Sequence, residues 1–240
     1  MKDPYIYEGT NVLINKLNIK DEKKLDSMES SYAVFNIDSL KNSNFQLNNI
    51  FDCLEIHRRI FSDVYEWAGE LRTIDIFKGE PILDGYSIDY VYASYLKEAL
   101  DELQKQFEQV DWNSLKPKEG LEKVCYFVSE FLHIHPFREG NTRTSAMMLY
   151  FLIKKTKLHI NIDFLSKNGK YFRNALVLSC LYSSSKTEYL KGIVSDSVSL
   201  RNLKSGKYET IDGFEVEKYT YSQHTMKKIQ TIKKPCDWKK

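Results

Sequence analysis

Cysteine is scarce. The four in 240 residues, Cys53, Cys125, Cys180 and Cys236, stand far apart and form no Cys-x-x-Cys pair. That excludes a disulfide framework and a thiolate zinc site, and it fits the reduced thiols of a cytoplasmic protein. Long apolar runs are missing too. No stretch approaches the roughly 20 residues of a membrane span, and the N-terminus lacks a basic segment followed by an apolar one. The expectation is a soluble, unexported chain with no membrane partner. Charge of one sign is also lacking: 35 Lys and Arg stand against 33 Asp and Glu, a formal net charge of +2. So small an excess implies no nucleic-acid partner. Internal repeats are absent. What remains, 42% hydrophobic content in 240 residues, suffices for one sizeable core, with a single domain and an extension as the default.

The stretch that organises the chain is residues 121–155. Leu121, Val124, Cys125, Val128, Phe131 and Leu132 recur at the three-and-four spacing of an amphipathic helix. Residues 146–153 are apolar without a break once Tyr150 is counted, so a second helix there is buried on nearly every side. Between them lies HPFREGNTRT, residues 135–144. Pro136 discourages a helical conformation at His135, and Gly140 with Asn141 supplies a permissive backbone and the side-chain oxygen of a helix start. The loop thus delivers backbone N–H groups to the N-terminus of a buried helix, an anion site.

Three side chains flank that site. Arg143, one turn in, offers a fixed fork of donors to phosphate oxygens. Glu139 could hold a Mg²⁺ shared with the same phosphates. His135, as a neutral imidazole, could take a proton from an incoming hydroxyl. Phe137 reads as an apolar peg. The chemistry described is phosphoryl-type transfer to an external nucleophile. One alternative stays open on the residues alone: His133, His135 and Glu139 as metal ligands, with a further ligand that spacing does not identify.

HPFREGNTRT resembles the signature of the Fic (filamentation induced by cAMP) family, His-x-Phe-x-Asp/Glu-Gly-Asn-Gly-Arg-x-x-Arg. The match covers His135, Phe137, Glu139, Gly140, Asn141 and Arg143. Thr142 replaces the second glycine and Ala146 the second arginine. Most Fic proteins are AMP transferases that move AMP from ATP to a target hydroxyl. The resemblance implies His135 as the base and Glu139 as the Mg²⁺ ligand. It also implies Gly140, Asn141 and Thr142 as the anion cradle and Arg143 as a phosphate contact.

Taken in order, the chain opens irregularly through residue 17, and residues 18–24 look like a turn and helix start. Leu25, Met28, Tyr32 and Phe35 then continue at helical spacing. Gly-Thr-Asn-Val-Leu in this opening and VYEWAGELRT at residues 64–73 are also similar to Fic proteins. Residues 46–67 carry a further helix, with Tyr65 and Trp67 as packing residues. In residues 71–86, Thr73, Ile74, Ile76 and Phe77 are β-prone, Lys78-Gly79 and Asp84-Gly85 signal turns, and Pro81 argues for an edge. The reading is a short hairpin. The resemblance makes it the flap over the active site, where Thr73, Asp75 and Phe77 dock the target segment by strand addition. Residues 87–108 return to helix. After the motif, YFRNALVLSC resembles the Fic helix that follows the core, and it places Tyr171 and Asn174 for an approach to the nucleotide base.

The chain is therefore expected to be mostly α, a Fic-type helical domain with a β-hairpin flap over the active site. The domain would occupy residues 1–190, with its motif at 135–146 and flap near 71–86. Residues 191–240 would form a polar extension, with a small hairpin around Asp212-Gly213 and a solvated lysine-rich end. The expected activity is Mg²⁺-dependent transfer of AMP from ATP to a Tyr, Ser or Thr hydroxyl of a target protein, itself included. A Fic-fold kinase or other phosphate-group transferase, and a degenerate binding module or toxin component, remain open, as does the oligomeric state. Many Fic proteins are switched off by a helix bearing Ser/Thr-x-x-x-Glu-Gly/Asn, whose glutamate pairs with the second motif arginine. Here Ser31, Phe35 and Asn36 fill that pattern with Phe35 in the glutamate position and Ala146 in the arginine position. The segment reads as a relic, or as a helix packing Phe35 into the core. Either way that lock is missing, and restraint is expected from a separate inhibitory protein or not at all.

Overall fold

Asp21 opens the first helix by accepting the Lys24 N–H at 2.8 Å, an oxygen supplied to an otherwise unbonded donor of the first turn. The structure, a computed structural model, describes residues 3–156, 158–181, 184–201 and 208–210. Within them the chain is mostly helical. α1 (Glu22–Lys41) packs on α2 (Asp52–Phe61), and a long connection with 3₁₀ turns at Pro81–Leu83 and Ala93–Tyr95 leads to α3 (Leu96–Glu108). α4 (Pro117–Ile134) and α5 (Asn141–Lys155) follow. Then come β1 (Leu158–Ile160), α6 (Ile162–Lys167), α7 (Gly169–Ser179), α8 (Ser184–Ser197), β2 (Val198–Arg201) and β3 (Tyr208–Thr210).

α4 and α5 are the centre of the core. Pro117 sits at the start of α4, where a missing N–H costs nothing. The helix buries Leu121, Val124, Cys125, Val128, Phe131 and Leu132, the face its spacing predicts. α5 buries Met147, Met148, Leu149, Phe151, Leu152 and Ile153. α4 packs on α3, α5, α7 and α8, and α5 also meets α2 and β1. Cys53, Cys125 and Cys180 are buried free thiols.

Several boundaries and faces differ from the sequence reading. α2 is shorter than residues 46–67, because Leu47 and Ile50 are buried in the turn that precedes it. Residues 87–92 are not helical. The buried face of α1 is Leu25, Glu29, Ala33 and Leu40 rather than Leu25, Met28, Tyr32 and Phe35. Phe35 is 70% exposed, so it does not pack into the core. The region at 71–86 bends back like a hairpin but forms no strands. Gly85 N–H bonds Glu80 O and Glu80 N–H bonds Tyr86 O, both at 3.0 Å, around the 3₁₀ turn and the left-handed Asp84 and Gly85. Pro81 has no N–H to give a ladder, and β-branched residues alone do not make a strand without a partner.

The strands form a small antiparallel sheet, ordered β1-β2-β3, with Ile160 opposite Val198 and Leu200 opposite Glu209. α8 runs across residue 190, and Ile193, Val194 and Val198 are buried, so the core continues past the boundary expected there. The hairpin around Asp212-Gly213 and the lysine-rich end lie outside the described residues. Among the described residues, no helix is long and apolar enough to cross a membrane.

Candidate active site

The loop from α4 to α5 begins with a left-handed residue. His135 caps α4 at φ 52° and ψ 58°, a region that costs a side-chain-bearing residue energy unless its surroundings hold it there. Pro136 disfavours the helical alternative. From outside the loop, Arg72 donates its backbone N–H to Pro136 O and its Nε–H to His135 O, each at 2.8 Å. Phe137 is fully buried. Asn141 then closes the loop on itself: its Oδ1 accepts the Phe137 N–H at 3.0 Å and its Nδ2 donates to Phe137 O at 2.8 Å. Its side-chain oxygen is therefore spent on Phe137 rather than on capping α5.

Gly140, at φ 85°, is the cap of α5. A Cβ there would stand 2.4 Å from Phe61 Cε2 and 3.1 Å from His57 Nε2, so both conformation and space require glycine. The same His57 organises the loop from below. Its Nδ1 accepts the Gly69 N–H at 2.8 Å, so the ring proton sits on Nε2 and goes to Glu139 O at 3.0 Å. Its ring stacks on Phe137 at 3.7 Å between centroids. Burial pushes its pKa down to about 3, keeping it neutral in this buried stack. Phe137 and His57 together fix where Glu139 and Gly140 fall.

His135 itself is buried. Its Nδ1 lies 3.2 Å from Leu132 O, a pure acceptor, so the proton is on Nδ1 and Nε2 carries a lone pair. Tyr90 covers the ring at 3.9 Å between centroids. Burial, with Lys78 nearby, lowers the imidazole pKa to about 3, so the ring is neutral at physiological pH. Glu139 is pushed up by burial, but Lys78, the Gly140 N–H and Arg143 outweigh that and hold it near 2. The carboxylate meets Lys78 Nζ at 3.4 Å, the Gly140 N–H at 3.0 Å and Arg143 at 4.0 Å. The first N–H groups of α5, from Asn141, Thr142 and Arg143, precede the first backbone bond of the helix, Thr144 N–H to Gly140 O at 3.0 Å. His135, Glu139, Gly140, Asn141, Thr142 and Arg143 thus share one short loop and helix start. Thr142 is half-buried in ordinary helical conformation, so its backbone tolerates a side chain where the pattern has glycine.

Arg143 lies over the Phe61 ring, 4.6 Å from its centroid, and its guanidinium pairs with Glu29 of α1. Tyr65 donates its hydroxyl to the same carboxylate. No glutamate pairs through position 35 or 146, as the sequence reading holds, but Glu29 occupies the motif arginine Arg143 from the same helix. That pair is separate from the missing lock, since it joins Glu29 to the first motif arginine rather than position 35 to position 146. Ser31 bonds Ser27 O in its own helix at 2.9 Å, and Asn36 donates to Ile60 O and Asp63, so neither is placed on the loop.

Around the flap, Thr73 shares hydrogen bonds with the Tyr5 hydroxyl, and Asp75 Oδ1 accepts the Ala93 N–H at 2.7 Å. Phe77 is 77% exposed, the one of the three with a free side chain. Buried Glu80 pairs with Arg173 of α7 at 2.6 Å; Tyr171 is buried and Asn174 half-buried on the same helix. Four residues of the site escaped sequence reasoning: Glu29, His57, Arg72 and Lys78. Glu29 and His57 carry a signal, since each sits among apolar positions on the inward face of its helix, where a polar group must find a partner.

The donor set tells which metal fits. An ionised carboxylate facing a cation, beside free N–H groups, suits Mg²⁺, which takes one or two carboxylates plus substrate phosphates. It does not suit zinc. No cluster of three His, Cys, Asp or Glu that could hold such an ion exists among the described residues.

A family model described as the Fic/DOC family matches residues 49–153. The chain is 33% identical over 159 residues to the probable protein adenylyltransferase y4lH of Sinorhizobium fredii, covering 64% of this chain and 77% of that one. It is 30% identical over 197 residues to the protein adenylyltransferase VbhT of Bartonella schoenbuchensis, covering 78% of this chain but only 40% of that protein. Among solved structures, the fold is similar to BepC from Bartonella tribocorum with bound AMPPNP, at TM-score 0.69 and 24% identity, covering 82% of this chain and 97% of that one. It is also similar to a Fic domain from Bartonella quintana with bound ADP, at TM-score 0.66 and 20% identity, covering 82% and 95%. With a family model matching the segment that carries the loop between the two core helices, and a relative 33% identical that this chain covers over 77% of its length, the protein belongs to the Fic/DOC family.

Proposed function

We propose that the protein is an adenylyltransferase that moves AMP from ATP to a Tyr, Ser or Thr hydroxyl of a target protein. The observation that carries this reading is His135, a neutral imidazole with its lone pair on Nε2, sharing one loop with the ionised Glu139 and the open N-terminus of α5. The names of the relatives and the nucleotides bound in the similar structures support it.

In this reading the target hydroxyl oxygen attacks the α-phosphorus, its proton passes to His135 Nε2, and the bond from phosphorus to the bridging oxygen breaks with departure of pyrophosphate. The N–H groups of Asn141, Thr142 and Arg143 and the Arg143 guanidinium receive the phosphate oxygens, an arrangement fixed before the charge develops. Glu139 would hold Mg²⁺, which supplies further neutralisation of the phosphates. Phe77 on the flap presents an apolar contact for the target segment. The negative charge of the α-phosphate beside His135 raises the basicity of an imidazole that burial depresses.

Intact mass spectrometry tests this directly: the protein is incubated with ATP, Mg²⁺ and a cell lysate. A protein gaining one AMP is expected, and His135→Ala should reduce the rate by about 10²–10⁴-fold while leaving nucleotide binding in place. A gain of one phosphate, or none, overturns the reading, as does full activity in the variant.

A further inference from the structure

Arg72 is 2% exposed, yet its nearest carboxylate, Asp75, is 3.9 Å away and mostly in solvent. A buried guanidinium is expected to meet a carboxylate or its equivalent in acceptors. Here the equivalent is entirely backbone. Nε donates to His135 O at 2.8 Å, Nη1 to Ile74 O at 2.6 Å, and Nη2 to Val91 O and more weakly to Ile134 O at 3.5 Å. The backbone N–H of the same residue takes Pro136 O at 2.8 Å. Those carbonyls belong to three segments: the strained turn of His135, the outgoing arm of the flap at Ile74, and the irregular stretch after the flap at Val91.

We propose that Arg72 is a positioning residue that ties the base of the flap to the conformation of His135, so that target docking and the placement of the base depend on one side chain. The left-handed His135 is held by bonds to its own carbonyl, within the His135–Pro136 peptide, and to the carbonyl of Pro136 that follows it, and both come from Arg72. Rotation of that peptide would swing the imidazole away from Leu132 O and expose Nδ1. The Ile74 and Val91 carbonyls are held by the two terminal nitrogens of the same planar fork. Lysine keeps the charge but offers a point donor that cannot span three segments. The inference rests on adenylyl transfer only for its kinetic consequence.

The test is Arg72→Lys. The expected result has two parts. The kcat for target modification falls by about 10²-fold with the KM for ATP unchanged, as a misplacement of about 1 Å would produce. Amide exchange accelerates together in residues 73–92 and 134–137, and the His135 ring resonances move, while α3 stays protected. The exchange and ring measurements need no turnover, so they stand even if the proposed activity fails. Faster exchange in the flap with an unmoved His135 ring overturns the coupling, as does a loss expressed only in the KM for ATP. Should the variant not fold, the unaltered protein still decides: the Arg72 Nε–H must exchange slowly and in step with the Arg72 amide, and exchange at the rate of a solvated guanidinium overturns the proposal.

Discussion

Glu29→Gln is the most informative single substitution at the candidate site. The glutamate side chain is 10% exposed and its partner Arg143 30% exposed. The amide keeps the shape of the carboxylate and its one oxygen still accepts the Tyr65 hydroxyl, while its NH2 replaces the oxygen that accepted from Arg143, whose part-exposed guanidinium can turn to solvent or phosphate. What it removes is one negative charge beside the arginine that meets phosphate in the proposed reaction. At an effective dielectric of about 20, unit charges about 4 Å apart interact by about 4 kcal/mol. Screening at the part-exposed Arg143 reduces this to about 1–2 kcal/mol. Arg143 released from Glu29 should therefore bind the triphosphate about 5–30-fold more tightly. Calorimetric titration of the variant and parent with ATP, at low and at physiological salt, measures it. Unchanged or weaker binding in a variant with native thermal stability would sink the argument, and would mean that Glu29 orients Arg143 rather than competing for it.

Glu139→Gln should weaken binding of Mg²⁺-ATP by about tenfold or more, with the affinity for metal-free ATP held or raised; equal losses in the two titrations would assign Glu139 a positioning role instead. Gly140→Ala should cost about 3 kcal/mol in urea denaturation, since it adds left-handed strain to an overlap with Phe61; a loss under about 1 kcal/mol would mean the loop shifts freely. The pH dependence has a defined sign. His57 and His135 have folded pKa values near 3 against an ordinary 6.5, so the unfolded chain binds more protons between those values. Their stabilisation is complete above pH 6.5 and declines as pH falls toward 3, by about 1.4 kcal/mol per pH unit for each histidine. Denaturation at pH 7.5, 6 and 5 checks this, and a flat profile to pH 5 would refute the burial of both rings as neutral species.

The two motif helices were legible because their signals are local. The three-and-four spacing of Leu121 to Leu132 and the unbroken apolar run after residue 145 each define a face without reference to the rest of the chain. Pro136 and Gly140 constrain their own backbone in the same way, and Phe137 as a peg follows from its place between them. α1 shows the limit. Leu25, Met28, Tyr32 and Phe35 fit helical spacing as well as Leu25, Glu29 and Ala33 do, and hydropathy prefers the first set. The second is buried because Arg143 and Tyr65 wait for the Glu29 carboxylate. The flap turns back where its turn residues place it, but without strands. Its β-prone residues meet no partner strand, and Glu80, Ser87 and Asp75 satisfy the backbone with side chains and turns instead.

By itself the sequence determined a helical chain, the loop joining its two central helices, and the identity of the groups carried on that loop. These follow from backbone stereochemistry and side-chain periodicity, which act over a few residues. Only the tertiary structure decided which groups from elsewhere reach the loop: Glu29 from 114 residues away, Arg72 from 63 and Lys78 from 61. Hydrogen bonds and ion pairs act over a few ångströms regardless of separation along the chain, so their partners are settled by packing, and no spacing in the sequence records them.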